Sequence, residues 1–497
     1  MPQSGRDVVL ALDVGSGGTR VVAYDLDGHP LTHAEADYVT YHDRIAWAEQ
    51  EPEDWWAAAL QALQMVTRQL RHDDSVRALG LTGQSPTIAP FDREGRPVRR
   101  AMIYQDNRAT REAEEWIERV GDRATVHQRT GHDPAAFYIG PKVLWVRRHE
   151  PHVFAEAYVW LQPRDFVAWR LTGVCATDWS HAGSTLLFDV VARAWAADIF
   201  ASVDLPPETF PPVLEPWAVL GGLRTGVAGE TGLPCDLPVI IGGADSQCCA
   251  VGAGVLDPGQ LSDMAGTSTC LNAPVPAPLA DLRIANYCHV APGWWCTELG
   301  LNASGAAYEW LATLAVRPHE TPTFAWGEEE ARRSAPGAHG LIFLPYMADG
   351  ERFDPRLRGG FCDLSLRHTY GDMTRAVFEG VAFAIREHVQ TMAEAGACIG
   401  EIHVSGGGAR VDLWNRIKAD VTGVPVVSVE SDATSLGVAL VAGTAIGLHP
   451  SLDAAARRCV RVDRRYEPHR DLDDLYADRY DRFRTLARAT AADTDGR

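Results

Sequence analysis

Apolar and polar residues along this chain fall into blocks that predict strands punctuated by glycine turns, with amphipathic helices between them. Val8 to Leu12 is an unbroken apolar run and predicts a buried strand; DVGSGGTR follows it, and then a second strand, VVAYDL. Strand, glycine-rich turn, strand is not the strand-to-helix order of a dinucleotide fingerprint, and GSGGTR does not fit G-x-G-x-x-G. A shorter unit of the same kind, LSDMAGTSTCLN, recurs at 261–272, again with an acid ahead of a Gly-Thr-Ser turn. Two such hairpins far apart in the chain predict two duplicated α/β domains facing a common cleft.

Helical patterns fill much of the remainder. EPEDWWAAALQALQMVTRQL has an acidic, proline-marked start and apolar residues at helical spacing. PVIIGGADSQ predicts a fully apolar strand ending in two glycines and then Asp245. Phe378, Val381, Ile385, Val389 and Met392 fall at steps of three and four, which predicts one core-packing face of a long helix. EIHVSGGGAR reads as a strand running into a triple-glycine turn, followed by a helix over 412–421 that ends near Gly423. Leu472, Leu475, Tyr476, Tyr480, Phe483 and Leu486 predict an amphipathic C-terminal cap. The expected organisation is an N-terminal domain over 1–244, a C-terminal domain over 245–460 and a helical tail over 461–497.

Composition narrows the partners. Against 66 Asp and Glu stand 46 Lys and Arg, a formal charge of −20, which opposes binding to nucleic acid or to an anionic membrane surface. Only Lys142 and Lys418 supply ε-amines, and neither sits in G-x-x-x-x-G-K-[ST], so a Walker-type loop is excluded. There is no G-x-S-x-G elbow and no H-E-x-x-H helix, and Pro151 separates His149 from His152. The ten cysteines form no C-x-x-C pair, and adjacent Cys248 and Cys249 read as buried thiols, which predicts a reducing, cytoplasmic setting. The longest near-apolar stretch, 436–448, is too short and too interrupted to span a bilayer.

Candidate chemistry sits on the glycine turns. Backbone N–H groups that converge at glycines bind phosphate without lysine. The first turn offers Gly15, Ser16, Thr19 and Arg20, the second Gly266 and Thr267, and a third is built by Gly406, Gly407 and Gly408. One such turn alone would read as a tight hairpin; three favour a nucleotide. A γ-phosphate needs a divalent cation for transfer, and Asp13, beside the first turn, is placed to hold Mg²⁺ through water, although an Asx turn cap explains it equally. Asp245, past an apolar strand and two glycines, has room to accept the proton of an attacking hydroxyl; a helix N-cap for DSQCCAVGAG is its alternative role.

In this order the segments resemble the FGGY carbohydrate kinases, the group containing xylulokinase and glycerol kinase. DVGSGGTR is similar to that family's first phosphate motif and AWAEQEPEDWW to its acidic-aromatic helix start. LTGQSPT and MIYQDNRA are similar to its sugar-side segments, IGGADSQ to the strand bearing the catalytic aspartate, and AGTST to the second phosphate motif. FLPYMADGERFDPRLRGGFCDLSLRHT, FEGVAFAIRE and VSGGGARVDLWNRIKADVTGVPV complete the match over nearly the whole chain. The resemblance implies an α/β fold of two actin-like, ribonuclease-H-like domains, with ATP and Mg²⁺ as cofactors and a small sugar or polyol as acceptor. It implies Asp245 as general base and Asp13 on the metal side. Gly15, Ser16, Thr19, Arg20, Gly266 and Thr267 would hold phosphates, and Gly305, Gly407, Gly408 and Asn415 would line the adenosine pocket. Gln84, Ser85, Gln105 and Asp106, with Asp245, would meet the acceptor, and a homodimer is a family expectation.

The departures are on the acceptor side. Xylulokinases typically follow this glutamine with Met-His and glycerol kinases with Arg-Glu, whereas here Ser85 and Pro86 follow Gln84. Phe137 or Tyr138 would supply an apolar wall or ordinary core. D-Xylulose is the best single guess because the C-terminal half reads most like xylulokinases. Another pentulose, a small polyol and a deoxysugar derivative stay open, as does an actin-like ATPase with no sugar substrate or a relative without turnover.

Overall fold

The computed structural model describes residues 5–315, 324–348, 350–351, 354–430 and 432–494. The first four residues, positions 349, 352 and 353 of the FLPYMADGERFDPRLRGG segment, and the last three of the tail lie outside the described residues. The chain divides into two compact units. One comprises 1–256, 275–297 and 433–460, the other 257–274, 298–432 and 461–497.

The first unit is built on a six-stranded sheet. Its strands are β1 (Asp7–Val14), β2 (Gly18–Asp25), β3 (Pro30–Asp37), β4 (Ser75–Gly83), β5 (Val219–Gly222) and β6 (Pro238–Ala244), in the order β5-β6-β4-β1-β2-β3. β1, β2 and β3 form an antiparallel meander, and β4 and β6 run parallel to β1. The apolar run at Val8–Leu12 has a physical reason: β1 is covered on both faces. Val8, Leu10, Leu12 and Val14 pack into one core with Trp55, Leu63 and Phe166, while Val9 and Ala11 pack into another with Leu436, Val438 and Val251.

That second core draws in helix Ala433–Ala445, which lies against helix Asp245–Gly252. The two backbones cross at glycines: a Cβ on Gly437 would stand 1.8 Å from the Cys248 carbonyl oxygen, and one on Gly252 1.8 Å from that of Ala433. The compact units therefore do not follow the expected chain-order break at 244/245. Residues 245–256 and 433–460 belong with the first sheet because these helices bury their apolar faces on it.

The second unit repeats the plan. β7 (Gly259–Ala265) and β8 (Thr269–Val275) form the antiparallel hairpin, β9 (Ile399–Ser405) and β10 (Val426–Val429) continue parallel to β7, and β11 (Val462–Tyr466) closes antiparallel. The expected stripe of helix Tyr370–Glu394 is buried along its length from Phe378 to Met392, with Phe378 stacked on Trp414 at 4.8 Å. Helix Asp412–Thr422 ends where expected, on Gly423 in the left-handed conformation. Helix Asp473–Thr494 buries Tyr476, Tyr480, Phe483, Ala487 and Ala491, the amphipathic cap read from the tail. Among the described residues no helix is long and apolar enough to cross a membrane.

Candidate active site

In the first unit β6, β4 and β1 end side by side, with Ala244 opposite Gly83 and Gly83 opposite Val14. Asp245, Gln84 and Asp13 therefore stand along one sheet edge, the carboxyl end of parallel strands where open α/β sheets bind ligands. Two strand spacings separate the backbones of the two aspartates, about 10 Å. Both side chains are half-buried, within reach of solvent-borne ligands.

The first glycine turn is tied back from behind. The Gly15 carbonyl accepts from the Tyr38 hydroxyl and from Gln84 Nε2 (3.1 Å), that of Ser16 from Gln50 Nε2 (2.7 Å), and that of Gly17 from the Tyr38 N–H (3.2 Å). In a trans peptide the C=O and the next N–H point oppositely. Drawing the Gly15 and Ser16 carbonyls inward thus aims the N–H groups of Ser16 and Gly17 outward, from an exposed tip. A Cβ on Gly17 would meet nothing within 4 Å, so the tip faces open space. Thr19 is fully buried in β2, and Arg20 pairs with Glu35 across to β3 at 3.1 Å.

Asp245 opens its helix as the first helical residue, and Ala244, extended at φ −61° and ψ 146°, is the N-cap. The N-cap position considered for Asp245 therefore falls one residue earlier, at Ala244, whose N–H is held by Ser180 Oγ (2.9 Å). Asp245 Oδ1 accepts from the Ser246 N–H at 2.7 Å. Behind this strand end lies a buried polar cluster. Arg164 Nη1 donates to the carbonyls of Ile241 and Gly242, and its Nη2 to Asp178 Oδ1 (2.6 Å). His181 Nδ1 shares that oxygen at 2.7 Å, while Asp178 Oδ2 accepts from the Ser180 hydroxyl at 2.5 Å. Burial alone would raise the Asp178 carboxyl, but Arg164, His181 and Ser180 together bring it down to about 2.

The acceptor-side residues differ in their freedom. Gln84 is 2% exposed and spends both ends internally, its Oε1 accepting from Thr87 Oγ1 (3.1 Å). Ser85 is half-buried, with Oγ at 2.9 Å from Gln162 Oε1 and 2.8 Å from Ser184 Oγ. Gln105 is exposed. Asp106 is fully buried; its Oδ2 accepts from Arg108 Nη2 (2.6 Å) and the Ala48 N–H (2.8 Å), so its role in the structure is to hold these segments together. Phe137 packs partly buried against the apolar core, and Tyr138 donates or accepts at His132 Nδ1 (3.1 Å), so both serve as core. Lys142 is buried beneath the same segments, with Nζ donating to the carbonyls of Ile103 (2.7 Å) and Pro86 (3.2 Å). Burial pulls its amine down to about 7, with Asp106 opposing and Arg108 adding to the fall.

In the second unit the turn after β7 is tied back in the same manner. The Gly266 carbonyl accepts from the Gly305 N–H (3.1 Å), and that of Thr267 from the N–H groups of Ser304 and Ala306 (3.0 Å each), which turns the Thr267 and Ser268 N–H groups outward. Gly305 is glycine for packing: a Cβ there would lie 2.3 Å from the Gly266 oxygen. β9 ends beside β7, so Gly406, Gly407 and Gly408 stand next to this turn. Gly407 is exposed with nothing within 4 Å of a Cβ, whereas Gly408 is buried against Ala265. Asn415 is fully buried, and its Nδ2 holds the Ala409 carbonyl (2.8 Å), fixing the glycine turn from within. Asp263, the acid read as equivalent to Asp13, is buried and paired with Lys418 Nζ at 2.5 Å. Its charge is neutralised internally by that lysine.

Among the described residues no three His, Cys, Asp or Glu side chains stand together as a metal cage. A lone Asp13 carboxylate fits Mg²⁺, which keeps most of its waters and takes its other ligands from substrate phosphates. Tyr38, Gln50, Arg164, Asp178, Ser180 and His181 are not among the residues the sequence singles out, and Lys142 is noted there only as lying outside a Walker-type loop. Only Lys142, a charge within the apolar helix segment GPKVLW, gave a signal that could have marked it.

Comparison with known proteins bears directly on this arrangement. Residues 8–252 match the N-terminal domain, and 262–446 the C-terminal domain, of the FGGY family of carbohydrate kinases. The xylulose kinase of Staphylococcus epidermidis is 27% identical over 98% of this chain and 97% of its own. The autoinducer-2 kinase of Yersinia enterocolitica is 30% identical over 95% of this chain and 92% of its own. The structure of xylulose kinase from Rhodospirillum rubrum matches with a TM-score of 0.91 at 29% identity, covering 99% of this chain and 100% of that one. Two duplicated units, each ending its hairpin on a tied-back glycine turn and both matched in order along the chain, settle the assignment: the chain belongs to the FGGY family of carbohydrate kinases and is an ATP-using sugar kinase of two-domain α/β fold.

Proposed function

We propose that this kinase transfers the γ-phosphate of ATP to a hydroxyl of a pentulose-sized ketose, with D-xylulose the leading acceptor. Asp245 accepts the hydroxyl proton as the oxygen attacks phosphorus, and the phosphate gains charge on its equatorial oxygens as the bond to ADP breaks. The outward N–H groups at Gly15–Gly17 and at Gly266–Ser268 stabilise phosphate charge, Asp13 holds Mg²⁺, whose chemistry is to neutralise the phosphates, and Gly407 leaves backbone room for the nucleoside. Ser85 and Gln105 meet the sugar; Gln84, Asp106, Gly305, Gly408 and Asn415 hold the segments that do. The observation that carries this reading is the placement of Asp13 and Asp245 at the ends of parallel strands flanking β4. The choice of D-xylulose leans on relatives named xylulose kinase at 27–29% identity.

Two observations favour a second acceptor. The autoinducer-2 kinase relative is 30% identical, and Ser85 with Pro86 stands where xylulokinases carry Met-His and glycerol kinases Arg-Glu. The test is Mg²⁺-dependent ADP release across D-xylulose, other pentuloses, glycerol and the autoinducer-2 kinase substrate, beside a no-sugar blank and Asp245→Asn. A rise with one sugar that Asp245→Asn abolishes is the expected result. Turnover indifferent to every sugar would refute the acceptor assignment, and full activity in Asp245→Asn would refute the base.

A further inference from the structure

We propose that Ser180 is a positioning residue for phosphoryl transfer: its hydroxyl, oriented by the buried carboxylate of Asp178, fixes the Ala244 peptide and through it the direction in which Asp245 leaves the sheet. The inference rests on Asp245 as the base. β6 loses its register with β4 between Ile240 and Gly243, and Gly242 there adopts φ 65°, with the Leu81 oxygen only 1.7 Å from where a Cβ would be. Such an irregular strand end re-aims the residue that follows and leaves backbone groups outside the ladder. Arg164 takes the Ile241 and Gly242 carbonyls, and Ser180 takes the Ala244 N–H.

The Ser180 bond is one-directional. A serine hydroxyl has a single proton, and here it goes to Asp178 Oδ2 at 2.5 Å, so a lone pair is left facing the Ala244 N–H. Asp178 cannot turn away, because Arg164 and His181 occupy its other oxygen and the Ser180 N–H its Oδ2. Ser180, Asp178, Arg164 and His181 are all fully buried, so no water can substitute for a lost partner without a cavity opening. The far end of helix Asp245–Gly252 is separately locked by its glycine crossing with Gly437. Loss of the Ser180 hydroxyl therefore frees the Asp245 end of the helix and leaves the other end seated.

The test compares Ser180→Ala, Ser180→Thr, Asp245→Asn and the Ser180→Ala/Asp245→Asn double variant in the full chain, with MgATP and D-xylulose or the panel sugar of highest turnover. Ser180→Ala should lower kcat by about tenfold or more, since misplaced catalytic groups lose rate steeply. KM for ATP and sugar should stay within about twofold, because ground-state binding is untouched. Ser180→Thr, which keeps the hydroxyl, should recover most of the rate, and the double variant should be no slower than Asp245→Asn alone. Native kcat in Ser180→Ala beside an inactive Asp245→Asn would overturn the positioning role and leave the base standing. Native turnover in Asp245→Asn would overturn the base and this inference with it. A loss explained wholly by a smaller folded fraction would also overturn it. Ser180→Cys, near in volume and a poor acceptor, carries the same expectation should the alanine variant fold badly.

Discussion

His289 offers a quantitative test of how the first unit tolerates acid. Its ring is fully buried, and Nδ1 accepts a hydrogen bond from the Ala291 N–H at 2.8 Å, which places the single ring proton on Nε2. Protonating Nδ1 would set one donor against another inside the core. Burial accordingly lowers its pKa from 6.5 to about 4. Below pH 6.5 the unfolded chain takes up a proton that the folded unit refuses, so stability falls as pH falls from 6.5 towards 4 and levels off beneath that. At pH 5 the difference amounts to 1.5 pH units on the unfolded side, about 2 kcal/mol. The perturbation is His289→Asn, whose Oδ1 can still accept from Ala291 but cannot titrate. Urea denaturation of both proteins at pH 7.5 and pH 5 should show the wild type losing about 2 kcal/mol more than the variant over that interval. Identical losses in the two proteins would refute the reasoning, and a larger loss in the variant would reverse its sign. His132, buried in the same unit and lowered to about 3, adds to the same acid limb in wild type and variant alike and cancels in the comparison.

Three further outcomes follow from the geometry. Gly437→Ala would normally gain about 1 kcal/mol of helix propensity, but the Cβ clash with Cys248 should turn this into a loss of about 2 kcal/mol or more, read as a lower Tm, while exposed Gly17→Ala leaves Tm unchanged. Gly305→Ala should push the Gly266–Thr267 turn and raise KM for ATP by about fivefold with the sugar KM unmoved; equal changes in both would deny that turn its phosphate role. Asp13→Asn should raise the Mg²⁺ concentration for half-maximal rate by about tenfold, and calorimetry should show MgATP affinity falling while affinity for metal-free ATP holds.

Much of the architecture was legible because it is local. Val8–Leu12 declared a strand covered on both faces, the stripe from Phe378 to Met392 declared its helix, and the glycine turns after β1 and β7 declared themselves by composition. The unit boundary was not legible. Helix Ala433–Ala445 joins the first sheet through a glycine-to-glycine crossing with residues almost two hundred positions away, and no periodicity encodes that partner. The candidate site divides similarly. Asp13 and Asp245 follow from strand ends, but Asn415 and Asp106 read equally well as ligand contacts until their burial shows one holding backbone and the other a neighbouring charge, and Gly408 until it packs against Ala265. Ser180 and Asp178 depend on a bulge in β6 that places Ser180 against Ala244; Gly242 and Gly243 mark the bulge in the sequence, but nothing there names Ser180 as its partner.

The two lysines have a consequence for experiment. Each compact unit holds one, Lys142 in the first and Lys418 in the second, and both are fully buried. Side-chain amines are therefore absent from the folded surface, and acylating or reductively methylating reagents meet an ε-amine only when a unit opens. Under conditions where reclosing outpaces reaction, the labelling rate at each lysine reports the opening equilibrium of its own unit. A single mass-spectrometric time course, with and without nucleotide or sugar, would thus read two local stabilities separately, with the natural sequence serving as its own pair of probes.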